Sequence, residues 1–299
     1  MRNAVAPSAG QSPSRPTGAG IGLRLPHLAE VATDVPSVAW LEIHPENFLA
    51  NPHAKELLLT IAANRAISLH TVGISIGSIT GLDRDHLYRV RQLVDDLDPF
   101  LISGHLAWST HDSTYLNDLL PLPYDEESLK LVASQLHQVQ DALGRPYLVE
   151  NPASYVGFGT STLTEVQFLE ALTTRTGCRL LCDVSNIYLS GSNMGFDPYE
   201  YIDAFPAAAV SEIHLGGFTA EPDAGQPGGE VLIDTHAAPI DDAVWPLYAH
   251  ALRRFGSQPT LIEWDNALPD LKTLLREAER ANTVAAEVAQ EMATHAAAR

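Results

Sequence analysis

The sequence predicts an α/β fold, a (β/α)8 TIM barrel. Three observations predict it. Eight short apolar runs recur along the 299 residues. Most are separated by segments with helix start and stop signals. Ionisable residues collect where the runs end, and the ends of barrel strands are where such a fold builds its active site.

The runs are GIGLRL (20–25), AWLEIH (39–44), ISLHTV (67–72), FLISGHLA (100–107), PYLVEN (146–151), RLLCDVSN (179–186), VSEIHLGG (210–217) and TLIEWD (260–265). Their lengths suit parallel strands buried on both faces. Between them, residues 51–66 open on an Asn-Pro start signal. Residues 82–97 set Leu87, Val90, Leu93, Val94 and Leu97 on one helical stripe. Residues 125–144 carry acids in the first turn and Gly144 as a stop, and 164–177 run from a Thr164 cap to Gly177. Residues 241–256 also end at glycine, with Pro246 near the start or at a kink. A last helix begins after Pro269 and runs towards the C-terminus. Residues 26–38 leave room for only a short first helix, and the long 216–240 connection has the length of a functional loop.

Composition narrows the function classes. Against 18 Lys+Arg stand 37 Asp+Glu, a net charge of −19. That balance argues against nucleic-acid partners and anionic membrane surfaces. The three lysines, Lys55, Lys130 and Lys272, make phosphate-rich substrates a poor fit. Cys178 and Cys182 form no disulfide framework and read as small buried residues. Residues 1–19, rich in Pro, Ser, Gly and Ala, read as a flexible tail without the apolar core of a signal peptide. Residues 20–299 read as one barrel domain, and a cytoplasmic location is expected.

The strand ends carry the chemistry. His44 ends the second run; His70 and His105 lie in the third and fourth; Glu150 and Asn151 end the fifth. Asp183 and Asn186 lie in the sixth, His214 in the seventh and Glu263 in the eighth, and the following loop adds Asp234 and His236. Buried ionisable groups are costly unless paired or metal-bound. Imidazole with carboxylate is the donor set of zinc, manganese and iron. His70, His105, His214, His236, Glu150, Asp183, Asp234 and Glu263 are too many for one ion, so two or three carboxylate-bridged metals are the economical reading. Glu42 stands two residues before His44, and Glu212 two before His214, so each could orient its histidine or form an ordinary ion pair. His44, Asn47 and Asn151 are candidates to contact substrate. His27, His53, His86, His137, His250 and His295 fall on helices or loops and are expected to be solvated; His111 is expected on the surface. The loop GISIGSITG (73–81) lacks a phosphate-binding fingerprint and reads as a tight loop close to the site.

The runs EIHPENF, SLHTVGISIGS, SGHLAW, VENPASYV, CDVSNIYLS, GFDPYEYI, EIHLGGF, IDTHAAP and IEWDNALP, in this order, resemble the multinuclear non-heme iron-dependent oxidative enzymes, relatives of the methanobactin biosynthesis oxidase. The resemblance covers about residues 20–280. It implies a TIM barrel holding two or three iron ions in mixed valence, ferrous beside ferric, with dioxygen as co-substrate. It implies oxidation of a ribosomally made precursor peptide, commonly at cysteine, beside a partner protein that recognises the peptide leader. By motif match, His70, His105, Glu150, Asp183, His214, Asp234, His236 and Glu263 correspond to iron ligands. Asn186 matches a ligand position that is His in the methanobactin branch and Asn in others. Two rival classes are a divalent-metal sugar isomerase or phosphodiesterase on a similar barrel, and a metal-binding scaffold. A phosphodiesterase needs basic residues and an isomerase a lysine near its site, and no strand end here carries a lysine.

Overall fold

A computed structural model describes residues 16–297, apart from positions 35, 113, 224, 226 and 227. Most of the expected tail, residues 1–15, lies outside the described residues. Its last residue does not belong to a tail: Ala19 begins the first strand, and its amide donates to Asn282 Oδ1 at 2.8 Å.

Numbered in chain order, the barrel strands are β1 (Ala19–Gly22), β2 (Leu41–Ile43), β3 (Ile67–Thr71), β4 (Leu101–His105), β7 (Leu148–Glu150), β8 (Arg179–Asp183), β9 (Val210–Gly216) and β12 (Thr260–Glu263). They close in the order β1-β12-β9-β8-β7-β4-β3-β2, every neighbouring pair parallel. Each predicted run supplies one strand. The interleaved helices are α1 (Leu28–Thr33), α2 (Glu46–Leu49), α3 (Pro52–Ala62), α4 (Arg84–Leu97), α5 (Glu126–Leu143), α6 (Glu165–Thr176), α7 (Val184–Met194), α8 (Pro198–Ala204), α9 (Val244–Phe255) and α10 (Leu271–Ala297). Their ends follow from local chemistry. The Thr164 hydroxyl and the Gln167 side chain form a reciprocal capping box on α6, and Gly177 closes that helix in the left-handed region. Pro246 falls in the first turn of α9, where its missing N–H is not needed.

Two features depart from the sequence reading. The sixth run ends as a strand at Asp183, not at Asn186, because the Asp183 carboxylate caps a new helix by accepting from the Asn186 amide at 2.6 Å. Helix α8 was also unforeseen, although Asp197 followed by Pro198 is a start signal. Two hairpins, β5 (Trp108–His111) with β6 (Thr114–Leu120) and β10 (Thr219–Pro222) with β11 (Glu230–Ile233), rise from the loops after β4 and β9.

Strand side chains alternate between the outer and inner faces of the barrel. Outward residues such as Ile21, Leu41, Ile43, Leu69, Leu180, Ile213 and Leu215 join the main apolar core against the helices. Inward, Leu101, Leu148 and Leu181 form a separate small cluster beside Phe100. Trp40 packs edge-on against Phe100 at 5.2 Å between ring centres. A Cβ at Gly20 would lie 2.4 Å from the Trp40 ring, so glycine in β1 lets the indole fill the barrel floor. Two residues further along the strands, the same inward face turns polar.

Candidate metal centre

That polar inner face brings the predicted residues together. β3 and β4 supply His70 and His105, whose Nε2 atoms lie 3.0 Å apart. The Glu150 Oε2 atom at the end of β7 lies 3.3 Å from His70 Nε2 and 3.4 Å from His105 Nε2. Ser103 Oγ contacts His70 Nδ1 at 2.8 Å, which can hold that nitrogen protonated and leave Nε2 free. Glu150, Asp183, His214 and Glu263 form a second, fully buried group with ligand atoms within 4.8 Å of one another. His236, Glu263 and Asp265 form a third. Glu150 belongs to two such groups and Glu263 to three, since it also meets Glu42 and His44; shared carboxylates are in the position a bridging ligand needs.

Asp234 and His236 come from the segment after β11. His236 Nε2 lies 2.7 Å from Asp234 Oδ1, while its Nδ1 faces Glu263 Oε1 at 3.5 Å and Asp265 Oδ2 at 3.4 Å. His236 adopts φ 44°, a rare conformation for a side-chain-bearing residue. Gly216 makes room for it, since a Cβ there would lie 2.6 Å from the imidazole. Asn186 sits in the first turn of α7 with its Oδ1 buried and unpartnered among the described residues.

Asp183 Oδ2 and Asn186 Oδ1 are buried with no hydrogen-bond partner among the described residues, while Glu150 Oε2, His214 Nε2 and His236 Nε2 meet other ionisable groups of the cluster without forming a well-aligned hydrogen bond. Unmet buried groups are expensive, so their clustering is the mark of a cation-binding site. Hard oxygen donors with imidazole and no thiolate fit iron, manganese or zinc. The electrostatics agree. Burial pushes the Asp183 and Glu42 carboxyls up to about 7 and holds Glu150 well above the carboxylate range. Burial lowers His105 to about 4, and burial together with His105 holds His70 well below the histidine range. Burial also opposes charge on Glu263 and His214. Their mutual attraction, with His236 and Glu42 added, outweighs it, placing Glu263 at about 2 and His214 well above the histidine range. A bound cation would relieve the crowded carboxylates.

Around this centre the expected Glu212–His214 pairing is present, Glu42 has a second partner that strand spacing does not show, and Arg24 and Asp265 are additions to the predicted set. Glu42 was paired with His44 on strand spacing, but its Oε2 lies 3.2 Å from His214 Nε2, while Oε1 is 4.0 Å from His44. Glu212 stands 3.8 Å from the same His214 nitrogen and 3.4 Å from the Ser68 hydroxyl. Arg24, buried just after β1, donates from Nε to Asp265 Oδ1 at 2.6 Å and lies with Nη2 3.0 Å from His44 Nε2. A Cβ on Gly22 would meet that guanidinium at 2.9 Å. Arg24 outweighs burial to hold Asp265 well below the usual carboxylate range. The spacing Glu263-Trp-Asp265, two residues on one strand face, was the available signal for Asp265.

The centre opens through a mouth of about 310 Å³, lined by His44, His70, His105, Glu150, His236 and Tyr115 among others. Of the three substrate candidates, His44 faces it. Asn47 lies on α2 and is not among the lining residues. Asn151 faces the backbone instead: its amide accepts from Asp183 N and donates to Asp183 O, both at 3.0 Å, and so braces a candidate ligand. Two histidines expected in solvent are not there. His27 is buried against the Pro269 carbonyl at 2.9 Å, and His86 pairs with Glu46 at 3.1 Å. Cys178 and Cys182 are buried and free, as expected.

Residues 18–286 match the model of the family described as RiPP precursor modification enzyme MbnB/TglH/ChrH. A UPF0276 protein of Vibrio vulnificus is 49% identical over 266 residues, covering 89% of this chain and 90% of that protein. A UPF0276 protein of Caulobacter vibrioides is 45% identical over 270 residues, covering 90% and 95%. Among solved structures, an L-ribulose 3-epimerase superposes with a TM-score of 0.60 at 16% identity, covering 95% of this chain and 99% of that one. A xylose isomerase-like TIM barrel protein from Mycobacterium smegmatis in complex with magnesium gives 0.57 at 11%, covering 93% and 99%. At those identities the structural likeness establishes the barrel and nothing about activity. The family model spans nearly the whole barrel, and the sequence relatives approach half identity: the chain belongs to the MbnB/TglH/ChrH family of RiPP precursor modification enzymes.

Proposed function

We propose that this chain is a multinuclear iron, dioxygen-dependent oxidase that modifies a ribosomally made precursor peptide at cysteine, beside a partner protein that recognises the peptide leader. One observation carries the reading. Glu150, Asp183, His214 and Glu263 aim ligand atoms within 4.8 Å of one another inside the barrel, and Asp183 Oδ2 has no hydrogen-bond partner among the described residues. His70, His105 and Glu150 would hold one ion; Glu150, Asp183, His214 and Glu263 a second; and Asp234, His236, Glu263 and Asn186 a third. Bound iron supplies a site for a thiolate and the one-electron redox chemistry that dioxygen requires.

The chain's own residues prepare that site. Glu42 can hold the proton on His214 Nε2, leaving Nδ1 towards Glu263. Asp183 gives one oxygen to the α7 cap and keeps Oδ2 for the centre. Asp265, held by Arg24, faces His236 Nδ1 and can orient that ring while Nε2 faces Asp234. The buried walls exclude bulk water, and the mouth admits a side chain rather than a folded partner. Among the described residues no Lys or Arg lines the mouth, which weighs against a phosphodiester substrate.

The test is metal analysis of anaerobically purified protein, followed by aerobic incubation with the precursor peptide and its partner. Two or three irons per chain, dioxygen uptake and a mass change in the peptide are expected. Tightly bound zinc alone, with no uptake and no mass change, contradicts the proposal.

A further inference from the structure

Beside the mouth, on the other side of the β5–β6 hairpin, lies a second depression that the metal centre does not use. It is an open groove of about 680 Å³ walled by Ile79, Trp108, Thr110, Leu122, Leu131 and Phe158. The two strands of the hairpin border different depressions: Tyr115, Asn117 and Leu119 of β6 line the mouth, while Trp108 and Thr110 of β5 line the groove.

The groove is a built feature. Ile79 is 74% exposed, although the chain around it is fixed on both sides. The Ser78 hydroxyl donates to Thr110 O at 2.7 Å, and Ser78 O accepts from Gln135 Nε2 at 2.6 Å. Thr80 Oγ1 accepts from the Asp112 amide at 3.1 Å. Ser75 Oγ accepts from the Ser109 and Thr110 amides. The 73–81 loop is therefore stitched to the hairpin and to α5, and it holds an isoleucine out in water. Tyr115, Tyr155, Val156 and Phe158 are exposed at the same end of the barrel. Exposed apolar groups gathered in this way mark a binding surface. The polar groups around them have one sign. Asp125 and Glu127 line the groove together with His111, Asp118 lines the mouth, and among the described residues no Lys or Arg lines either. The complementary occupant is apolar and cationic.

We propose that the groove is a specificity subsite for the peptide substrate, taking an apolar side chain flanked by a basic residue while the modified residue lies in the mouth. This rests on the peptide-modifying reading above. Neighbouring strands lie about 4.8 Å apart and an extended chain advances about 3.3 Å per residue. A peptide that crosses the two-stranded hairpin, about 10 Å, thus places its anchor about three residues from the modified one. Burying one large apolar side chain stabilises by about 1.5–3 kcal/mol, at least a 10-fold gain in affinity.

The test uses the iron-loaded protein without dioxygen. A fluorescent eleven-residue peptide of Gly and Ser with a central Cys carries one Phe-Lys pair, walked along both sides of the Cys. Binding is read by anisotropy. Affinity about 10-fold higher with Phe three or four residues from Cys than with Phe adjacent to it is expected. Ile79→Asp and Phe158→Asp, both at exposed positions, should remove that advantage, and Glu in place of Lys should reduce it. Equal affinity at every Phe position, or an advantage that survives both substitutions, overturns the proposal. Mass spectrometry of the same peptides after air is admitted separates the two readings. Modification without positional preference overturns only the subsite. Positional preference without modification, either of these peptides or of the full precursor with its partner protein, keeps the subsite and contradicts the oxidase.

Discussion

The outer and inner faces of the barrel strands are built by opposite rules. In β9, Ile213 and Leu215 point outward into the apolar core under the helices, while Glu212 and His214 alternate with them and are equally buried. In β3, Leu69 points out, and Ser68 and His70 point in. A barrel interior is ordinarily filled with branched apolar side chains. Here such filling is confined to the floor around Leu101, Leu148 and Leu181. Above it, the interior is made of carboxylates, imidazoles and hydroxyls. The outer face contributes stability through area removed from water. The inner face works against stability without cations and is expected to gain it from them. Mutations on the two faces should therefore separate folding from metal binding.

The largest effect is expected from Glu150→Gln. It removes the carboxylate shared by two ligand groups, so peptide conversion should fall ~100-fold or more and at least one ion should be lost. Circular dichroism should show no loss of fold, and the metal-free variant should melt no lower than the parent, because burial already keeps the Glu150 carboxyl from ionising and the neutral amide replaces it at nearly equal size. A collapse of the metal-free fold would break the contrast between the two faces.

Phe168→Ala is the mirror experiment. Phe168 is fully buried in the outer core, and its truncation should cost about 3–5 kcal/mol in denaturant unfolding. Below its melting point the variant should keep the parental metal content. Loss of metal from a still-folded variant would contradict the separation.

Arg24→Lys tests the support behind the centre. Lysine cannot reproduce the contacts that the guanidinium makes with Asp265, His44 and Glu42. Activity should fall about 10–100-fold. The metal loss should be confined to the ion assigned to Asp234 and His236, read as a drop of one ion per chain. Uniform loss of all ions would mean that Arg24 supports the barrel rather than that position.

A smaller effect concerns pH. In the metal-free protein, Glu42 and Asp183 titrate near 7, above their values in the unfolded chain, and Glu263, with Glu42 or Asp234, holds protons on His214 and His236 above the usual range. Between about pH 6.5 and 8 the folded protein thus binds more protons than the unfolded one, so its stability should fall as pH rises. Below about pH 6.5 His70 and His105, with lowered values, act in the opposite direction. Metal loading requires deprotonated ligands and should reverse the trend. Melting temperatures of both forms across this range decide it; a metal-free form that gains stability from pH 6.5 to 8 would contradict this account. The smallest effect is Thr164→Ala, which should cost about 1 kcal/mol through the α6 capping box and leave metal content untouched.

The strands and their inward polar residues were legible because alternation is a short-range pattern, and a histidine or carboxylate inside an apolar run stands out. His70, His105, Glu150, His214 and Glu263 all carry that signal. Pairing across the barrel was not legible. Glu42 meets His214 more closely than His44, because barrel closure sets which inner side chains face each other. Arg24 lay in a run read only for its apolar residues, and its partner Asp265 is 241 positions away. Asp183 belongs to both a strand and a helix cap, so the run overran into α7. The two hairpins lie in largely exposed loops, where alternation has no buried face to report.

The most direct measurement is anomalous scattering at the iron edge from crystals of anaerobically prepared, iron-loaded protein. Two or three peaks are predicted, one between His70, His105 and Glu150, one between Glu150, Asp183, His214 and Glu263, and the third beside Asp234 and His236. A single peak, or iron bound away from the inner face of the barrel, would contradict the account.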